Sequence, residues 1–199
     1  MADPVKTAKN AVETIEKADM AVTEAVAEQA ERPLVRLLGQ LSEIGDQPPL
    51  RVLTLGAAAV GLARGDRKLV RSGLRMFAAH SLATGVKTLV KRQIDRTRPD
   101  TALEGDYRME RGGSQEHDLS SFPSGHTAGA LAVTQALARD YPGTRVPGLA
   151  FTAAIAAIQV PRCKHFMSDI LVGALIGWAS EQVLSAAFDA AEKRLTSDN

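Results

Sequence analysis

Long apolar blocks separated by short polar turns make up most of the chain, which is the pattern of helices packed closely against one another. Such blocks run over residues 50–63, 123–139, 146–160 and 166–194, and a further one, 69–93, becomes basic at its end. Nowhere do apolar and polar residues alternate with the period of two that a half-buried strand shows. The pattern therefore predicts an all-α fold, a bundle of about six helices.

The first 31 residues form a polar segment, rich in Ala and Glu, with high helix propensity. Its apolar residues recur at spacings of three and four, and Asp19 interrupts the stripe. An amphipathic helix on the protein or on a membrane surface explains this spacing better than a coiled coil does. We therefore expect an N-terminal helix over residues 1–31 and a helical domain over 32–199. Whether the first segment docks, dimerises or lies on lipid stays open.

Composition narrows the classes of function. The formal net charge is +1 and aromatic residues make up 4%, so neither a positive field nor a base-stacking surface indicates a nucleic-acid partner. The single cysteine, Cys163, excludes an intrachain disulfide and a cysteine-based metal cluster. The mean hydropathy of −0.08 lies between soluble and membrane proteins. The pair Gly173-x-x-x-Gly177 suits close packing in a bilayer and in soluble bundles alike. No N-terminal apolar segment resembles a secretory signal.

Three polar clusters interrupt the apolar helices. They are Lys91 with Arg98-Pro99, Pro123-Ser124-Gly125-His126, and His165 with Asp169. Neighbouring helices joined by short turns run antiparallel, so a helix that ends near Lys91 and one that starts at Pro123 meet at one end of a bundle. The block over 146–160 returns the chain to that same end. The sequence therefore predicts one site there, built from all three clusters.

The first two clusters suit a phosphate anion. Lys91 and Arg98 supply positive charge, and a guanidinium binds two phosphate oxygens in parallel. Ser124 and the amides near Gly125 stand at the start of a helix, where unpaired N–H groups attract anions. The alternative for Lys91 is an ordinary cation favoured by the dipole at a helix C-terminus.

The third cluster suits proton and phosphoryl transfer. His165 and Asp169 are four residues apart, so on a helix they share a face. Asp169 can then hold one imidazole nitrogen and leave the other free as a nucleophile, while His126 protonates the departing oxygen. The alternative is a surface pair that contributes about half a kcal/mol.

These three segments together resemble the signature of the type 2 phosphatidic acid phosphatase superfamily, which includes lipid phosphate phosphatases, bacterial acid phosphatases and vanadium haloperoxidases. The resemblance covers about residues 34 to 190. It implies hydrolysis through a phosphohistidine, with no metal and no other cofactor. It also implies phosphate binding by Lys91, Arg98, Ser124 and Gly125, and catalysis by the general acid His126, the nucleophile His165 and its orienting partner Asp169.

One position departs from this resemblance. The family usually has a serine-arginine pair whose arginine lies six residues before the nucleophilic histidine, whereas this chain has Ile158-Gln159. A glutamine amide donates hydrogen bonds but brings no charge, so the departure predicts weakened activity. Arg162 either swings into the site as a substitute that binds phosphate or is only a helix-end cation.

Most short members of this family are integral membrane enzymes, so the resemblance implies a lipid substrate of the phosphatidate or polyprenyl diphosphate type. Basic residues gather at the opposite end of the bundle, which predicts that this end is cytoplasmic and that the site faces the extracytoplasmic side of a bacterial-type inner membrane. They are Arg64, Arg67, Lys68, Arg71, Arg139 and Arg145. Two alternatives stay open, a vanadate-dependent peroxidase and a non-catalytic membrane protein that binds lipid phosphates.

Overall fold

The computed structural model describes residues 3–114 and 116–197, which contain eight α-helices and two short strands. These are α1 Pro4–Val26, α2 Pro33–Ser42, α3 Gln47–Arg64, α4 Arg67–Lys91, β1 Ile94–Arg96, α5 Pro99–Leu103, β2 Met109–Arg111, α6 Gly125–Asp140, α7 Arg145–Ile158 and α8 Met167–Ser197. The all-α prediction is confirmed. The count exceeds the expected six partly because a short helix, α5, begins at Pro99.

Local capping sets the direction of the helices that lead to the site. Gly65 ends α3 with φ of 67°, a left-handed conformation that glycine adopts without strain. Asp66 then caps α4, since its carboxylate accepts a hydrogen bond from the Leu69 amide at 3.0 Å. The turn is short, so α3 and α4 pack side by side, and α4 carries Lys91 to the end of the bundle from which α6 departs.

Helix α6 is the centre of the bundle and packs against α3, α4, α7 and α8. The principal apolar core consists of small and medium side chains, namely Leu50, Met76, Ala79, Ala83, Ala128, Ala132, Val133, Ala136 and Ile176. A Cβ atom on Gly173 would lie 2.5 Å from the carbonyl oxygen of Ser124, and one on Gly177 would lie 2.4 Å from that of Ala128. These glycines therefore let α8 lie backbone against backbone with the start of α6, as their spacing suggested.

The two strands form a small antiparallel ribbon that the sequence did not predict. Ile94 pairs with Arg111 and Arg96 pairs with Met109. The ribbon is tied to the loop before α6, because the Ser121 amide donates to the carbonyl of Arg96 at 3.1 Å. Each strand has only three residues, too few for a periodic pattern to be visible. The ribbon holds the segment after Lys91 beside the loop that leads to α6.

Helix α1 lies against α5 and the start of α8. Its buried residues are Asp19 and Thr23, whereas the apolar residues of its stripe, Val5, Val12, Ile15 and Val22, are 38–75% exposed. Asp19, which interrupts the apolar pattern in the sequence, is thus one of the residues that α1 buries against the rest of the protein. The division of the chain at residue 31 stays a prediction.

Many large apolar side chains on the outside of the bundle are exposed. They lie mainly on α2, α3, α7 and α8 and include Leu34, Leu41, Val52, Leu62, Val146, Leu171, Leu175 and Trp178. Within residues 3–114 and 116–197, one segment, Met167–Ala191, is long and apolar enough to cross a membrane, with a mean hydropathy of 1.4.

Candidate active site

A cavity of about 360 Å³ opens at the end of the bundle where α4 stops and α6 begins. The structure brings residues of all three polar clusters to its wall. The lining residues are Glu43, Asp46, Gln47, Lys87, Lys91, Arg98, His117, Gly125, His126, Gln159, Arg162, Lys164 and His165. Ser124 and Asp169 lie behind this wall, fully buried.

The loop before α6 anchors the two expected phosphate-binding cations. The Lys91 ammonium donates a hydrogen bond to the Ser120 carbonyl. Arg98 donates from Nε to the His117 carbonyl at 2.8 Å and from Nη2 to the Ser120 hydroxyl at 3.2 Å. Burial, together with repulsion from Lys87 and Arg98, lowers the pKa of Lys91 to about 7. The cavity therefore carries an excess of positive charge, which a bound anion would neutralise.

Lys87 is a further cation that the sequence analysis did not select. It lies one helical turn before Lys91, lines the cavity and is 8% exposed. Its stem crosses Gly125, where an added Cβ would lie 3.3 Å from the Lys87 Cδ atom. The spacing of four between two lysines at the end of a helix was the available signal, because such residues share a face.

His165 lies in the loop between α7 and α8, and its side chain is 5% exposed. Its Nδ1 atom is 2.8 Å from the Ser121 carbonyl oxygen, so Nδ1–H donates and Nε2 carries the lone pair. The expected direct hydrogen bond from Nδ1–H to Asp169 is not made, since the carboxylate lies 3.8 Å from Nδ1. Burial, reinforced by Lys91 and Arg98 and opposed by Asp169, lowers the pKa of His165 to about 4. The ring is therefore neutral near pH 7.

Asp169 is hydrogen-bonded to groups that flank His165 and to Arg96. Its Oδ2 accepts from the Ser121 hydroxyl at 2.6 Å and from the Phe166 amide at 2.9 Å, which fixes the residues on both sides of the imidazole. Its Oδ1 lies 2.6 Å from Nη1 of Arg96, a guanidinium that is 1% exposed. Arg96 was not selected from the sequence, because the motif leaves the six positions between Lys91 and Arg98 unspecified.

Ser124 performs the capping role expected of it. Its hydroxyl lies 3.1 Å from the Thr127 hydroxyl and 3.5 Å from the Thr127 amide, and its own amide donates to the Asp169 carbonyl at 3.0 Å. This serine is 0% exposed, and of the pair Ser124-Gly125 only the glycine lines the cavity. At this helix start, Gly125 is therefore open to a phosphate in the cavity. The Ser124 hydroxyl lies behind the cavity wall, where it contacts Thr127.

His126 and Arg162 are connected by an acidic residue that sequence reasoning missed. Glu43, in the turn after α2, lies 3.3 Å from Nε2 of His126 and 2.8 Å from Nη2 of Arg162. Burial alone would raise the pKa of Glu43, but Arg162 and His126 hold it below its usual range. Arg162 also donates to the Ser42 hydroxyl at 3.0 Å and packs on Gly39, where a Cβ would lie 2.7 Å from Nε. Of the two alternatives for Arg162, the structure has it in the cavity wall.

The amide nitrogen of Gln159 is committed to acceptors of the protein itself. Its Nε2 donates to the Ser42 hydroxyl and to the Ile155 carbonyl, each at 3.2 Å. Its Oε1 is buried and has no hydrogen-bond partner among the described residues. Gln159 therefore ties α7 to α2 beside Arg162, and the positive charge at this side of the cavity comes from Arg162.

The part of the chain that holds these clusters matches a known protein family. Residues 72–193 match the family model described as the PAP2 superfamily, a range that contains all three polar clusters. The chain is also 31% identical over 126 residues to decaprenylphosphoryl-5-phosphoribose phosphatase from two strains of Mycobacterium tuberculosis, CDC 1551 / Oshkosh and ATCC 25618 / H37Rv. The alignment covers 60% of this chain, and the chain spans 60% of the length of these curated relatives.

A solved structure shares the architecture. The chain resembles the first transmembrane PAP2-type phosphatidylglycerolphosphate phosphatase, from Bacillus subtilis, with a TM-score of 0.61 and 18% identity over 89% of this chain and 87% of the other. A weaker likeness, with a TM-score of 0.48 and 22% identity over 78% of this chain and 97% of the other, is to LpxE from Aquifex aeolicus. The first of these shows that the fold is shared.

Proposed function

We propose that this chain, which belongs to the PAP2 superfamily, is a metal-independent phosphatase of a lipid phosphate and works through a phosphohistidine at His165. The observation that carries the proposal is the state of this imidazole. It is buried, its Nδ1–H is committed to the Ser121 carbonyl, and it borders a cavity lined by Lys87, Lys91 and Arg98. A neutral ring with a free nitrogen beside a cationic phosphate pocket is the arrangement that phosphoryl transfer to histidine requires.

The first step transfers the phosphoryl group to the enzyme. The Nε2 lone pair of His165 forms a bond to phosphorus while the bond from phosphorus to the ester oxygen breaks, and protonated His126 gives its proton to that oxygen. The carboxylate of Glu43 lies 3.3 Å from Nε2 of His126 and so helps to orient this ring. Lys91 and Arg98 balance the charge that spreads over the phosphoryl oxygens.

The second step returns the enzyme to its starting state. Water attacks phosphorus, His126 accepts a proton from that water, and the bond between phosphorus and Nε2 of His165 breaks. Inorganic phosphate leaves and the imidazole is neutral again. Every bond change is carried by groups of this chain, the phosphoryl group and one water molecule, so the proposed step routes nothing through a metal.

Arg162 supplies the charge that Gln159 lacks. It lines the cavity, and its guanidinium is oriented by Glu43 and Ser42. A phosphate in the cavity would give this guanidinium a second anionic partner without displacing the first, because its fork of donors can serve two groups.

We place the substrate at a membrane. The Mycobacterium tuberculosis relatives are named for a decaprenyl-linked sugar phosphate, and the Bacillus subtilis structure is of a phosphatidylglycerolphosphate phosphatase. The exposed apolar side chains of α2, α3, α7 and α8 and the apolar segment Met167–Ala191 fit lipid contact. We propose a terminal phosphate or pyrophosphate of a polyprenyl or phospholipid substrate, reached from the extracytoplasmic side.

Phosphate release by detergent-purified protein tests the proposal. We expect release from a panel of phosphatidate, phosphatidylglycerolphosphate and polyprenyl diphosphate in the presence of chelator, and none from His165→Ala. Acid-labile, alkali-stable label on the protein after rapid quenching would identify the phosphohistidine. Release that requires a metal, or that survives in His165→Ala, would contradict the mechanism. Halide oxidation with vanadate and peroxide, or lipid phosphate binding without turnover, would support the two alternatives instead.

A further inference from the structure

A buried series of charges runs from α1 to the back of the active site. Asp19 is 4% exposed, Arg96 1% and Asp169 0%. Nη2 of Arg96 lies 2.8 Å from Asp19, and Nη1 lies 2.6 Å from Asp169. Asp169 accepts from the Ser121 hydroxyl, and the Ser121 carbonyl holds Nδ1 of His165. One guanidinium thus connects a carboxylate of the N-terminal helix to the groups that orient the proposed nucleophile.

Asp19 also holds the residue next to Asp169. The Ser168 amide donates to one oxygen of Asp19 at 3.0 Å, and the Ser168 hydroxyl donates to the other. Nη1 of Arg96 donates to that hydroxyl at 2.7 Å. Asp19 is therefore satisfied by three donors, as a buried carboxylate must be, and it fixes both the partner of Asp169 and the backbone that carries Asp169.

The burial of this acid contrasts with the rest of its helix. Glu13 and Glu24 of the same helix are exposed and remain hydrated, and Glu16 is half-buried and accepts a hydrogen bond from the Tyr107 hydroxyl at 2.9 Å. Asp19 gives up its hydration, and a buried ion pair adds little net stability over an apolar substitute because desolvation offsets the attraction. We therefore expect Asp19 to matter through the positions in which it holds Arg96 and Ser168.

We propose, resting on the phosphohistidine mechanism above, that Asp19 is a positioning residue for His165 and that α1 is a working part of the active site. With Asp19 in place, Arg96 is shared between two carboxylates and Asp169 keeps Oδ2 for the Ser121 hydroxyl. Without it, Arg96 is drawn to Asp169 alone, the start of α8 is released, and the Ser121 carbonyl no longer fixes the imidazole. Phosphate binding does not depend on this, because Lys91 and Arg98 are held by other contacts.

Steady-state kinetics of Asp19→Asn provide the first test, with Glu13→Gln as the matched control. Both variants remove one carboxylate charge from α1 and keep the shape of the side chain. We expect kcat of Asp19→Asn to fall by at least about tenfold with KM within about threefold, because a misplaced nucleophile slows chemistry more than it weakens binding. Glu13→Gln should match the wild type. Equal kinetics for both variants would overturn the proposal.

The binding of two anions, orthovanadate and inorganic phosphate, distinguishes a misplaced His165 from a loss of the whole site. Orthovanadate accepts an imidazole nitrogen as a fifth ligand and so mimics the transition state of phosphoryl transfer, whereas inorganic phosphate needs only the cations. We expect Asp19→Asn to weaken vanadate binding about tenfold, in calorimetry or vanadium NMR, and to leave phosphate binding within about twofold. Equal loss of both anions would mean that Asp19 serves stability alone. Wild-type protein that binds phosphate and not vanadate would also overturn the proposal.

Ser168→Ala keeps the test valid if Asp19→Asn folds poorly. It retains every charge of the network and removes two hydrogen bonds of the Ser168 hydroxyl, the one that it donates to Asp19 and the one that it accepts from Arg96. We expect a smaller loss of vanadate affinity in the same direction, and no loss would count against the proposal. If the wild type releases phosphate from no lipid, the proposed function is wrong, but the ratio of vanadate to phosphate affinity in the variants still decides the role of Asp19.

Discussion

The carboxylate of Glu43 lies 2.8 Å from the guanidinium of Arg162. The same carboxylate reaches His126 at 3.3 Å, so one acidic side chain connects the proposed general acid to the proposed phosphate clamp. Glu43 comes from the turn after α2, a segment that precedes the range matched by the family model. We propose that Arg162 in the α7–α8 connection, held by Glu43, compensates for the absence of an arginine at position 159.

Arg162 is predicted to carry much of the transition-state stabilisation on its side of the cavity. We expect Arg162→Ala to lower kcat/KM by about 100-fold, the usual effect of losing one pre-organised donor, and Arg162→Lys to retain part of the activity. Arg92→Ala is the matched control, because Arg92 is exposed at the end of α4. Kinetics with one lipid phosphate check this. If both alanine variants behave alike, Arg162 is only a helix-end cation.

Restoring the arginine at position 159 tests the same compensation. Gln159 is 0% exposed and lies beside Ser42, which Arg162 also contacts, so a second guanidinium there meets a like charge. We expect Gln159→Arg to bring no gain in turnover to the wild type and a gain of about tenfold to Arg162→Ala. A large gain in the wild-type background would show instead that Gln159 weakens the enzyme.

The sequence was sufficient to place the three clusters together. Helices that alternate in direction return the chain to the same end of a bundle, so Lys91, His126 and His165 could be assigned to one site without coordinates. The capping role of Ser124 followed equally from its place at a helix start. These predictions rest on local pattern and connectivity, which the sequence contains.

The residues that were missed act over long separations in the chain. Arg96 is 77 residues from Asp19 and 73 from Asp169, and Glu43 is 83 from His126. An isolated aspartate, glutamate or arginine carries no periodic signal, so only the packed structure shows which of them are buried as partners. The role of the Ser121 carbonyl was equally hidden, because a backbone group has no signature in the sequence.

The charge of Lys91 predicts how substrate capture depends on pH. Burial, Lys87 and Arg98 lower its pKa to about 7, so the cation is present below that pH and lost above it. We expect kcat/KM to fall as the pH rises through about 7, and KM to rise with it. Lys91→Arg should keep its charge and move this limb to higher pH, since a guanidinium stays protonated. An unchanged limb in that variant would assign it to another group.

The neutral state of His165 predicts how kcat/KM changes at acidic pH. Its pKa is lowered to about 4, chiefly by burial, so the imidazole is an unprotonated nucleophile at any pH above that value. We expect kcat/KM to stay level between about pH 5 and 6 and to fall only near pH 4. Profiles should be recorded with a substrate whose own ionisation is known. A limb near the ordinary histidine value would mean that the ring is exposed when the enzyme works.

The contact between Gly173 and Ser124 predicts that helix packing controls the site. A Cβ atom at position 173 would lie 2.5 Å from the Ser124 carbonyl oxygen, so Gly173→Ala must push α8 from the start of α6. We expect a loss of about 1–3 kcal/mol in the free energy of unfolding, measured by denaturant titration in detergent, and a lower kcat because Asp169 lies one turn before this glycine.

Gly56→Ala, in α3, is the control, since its Cβ would meet nothing within 4 Å. It should be neutral or stabilising by up to about 1 kcal/mol because alanine favours the helix. Equal stability and activity of the two variants would contradict the close approach of α6 and α8.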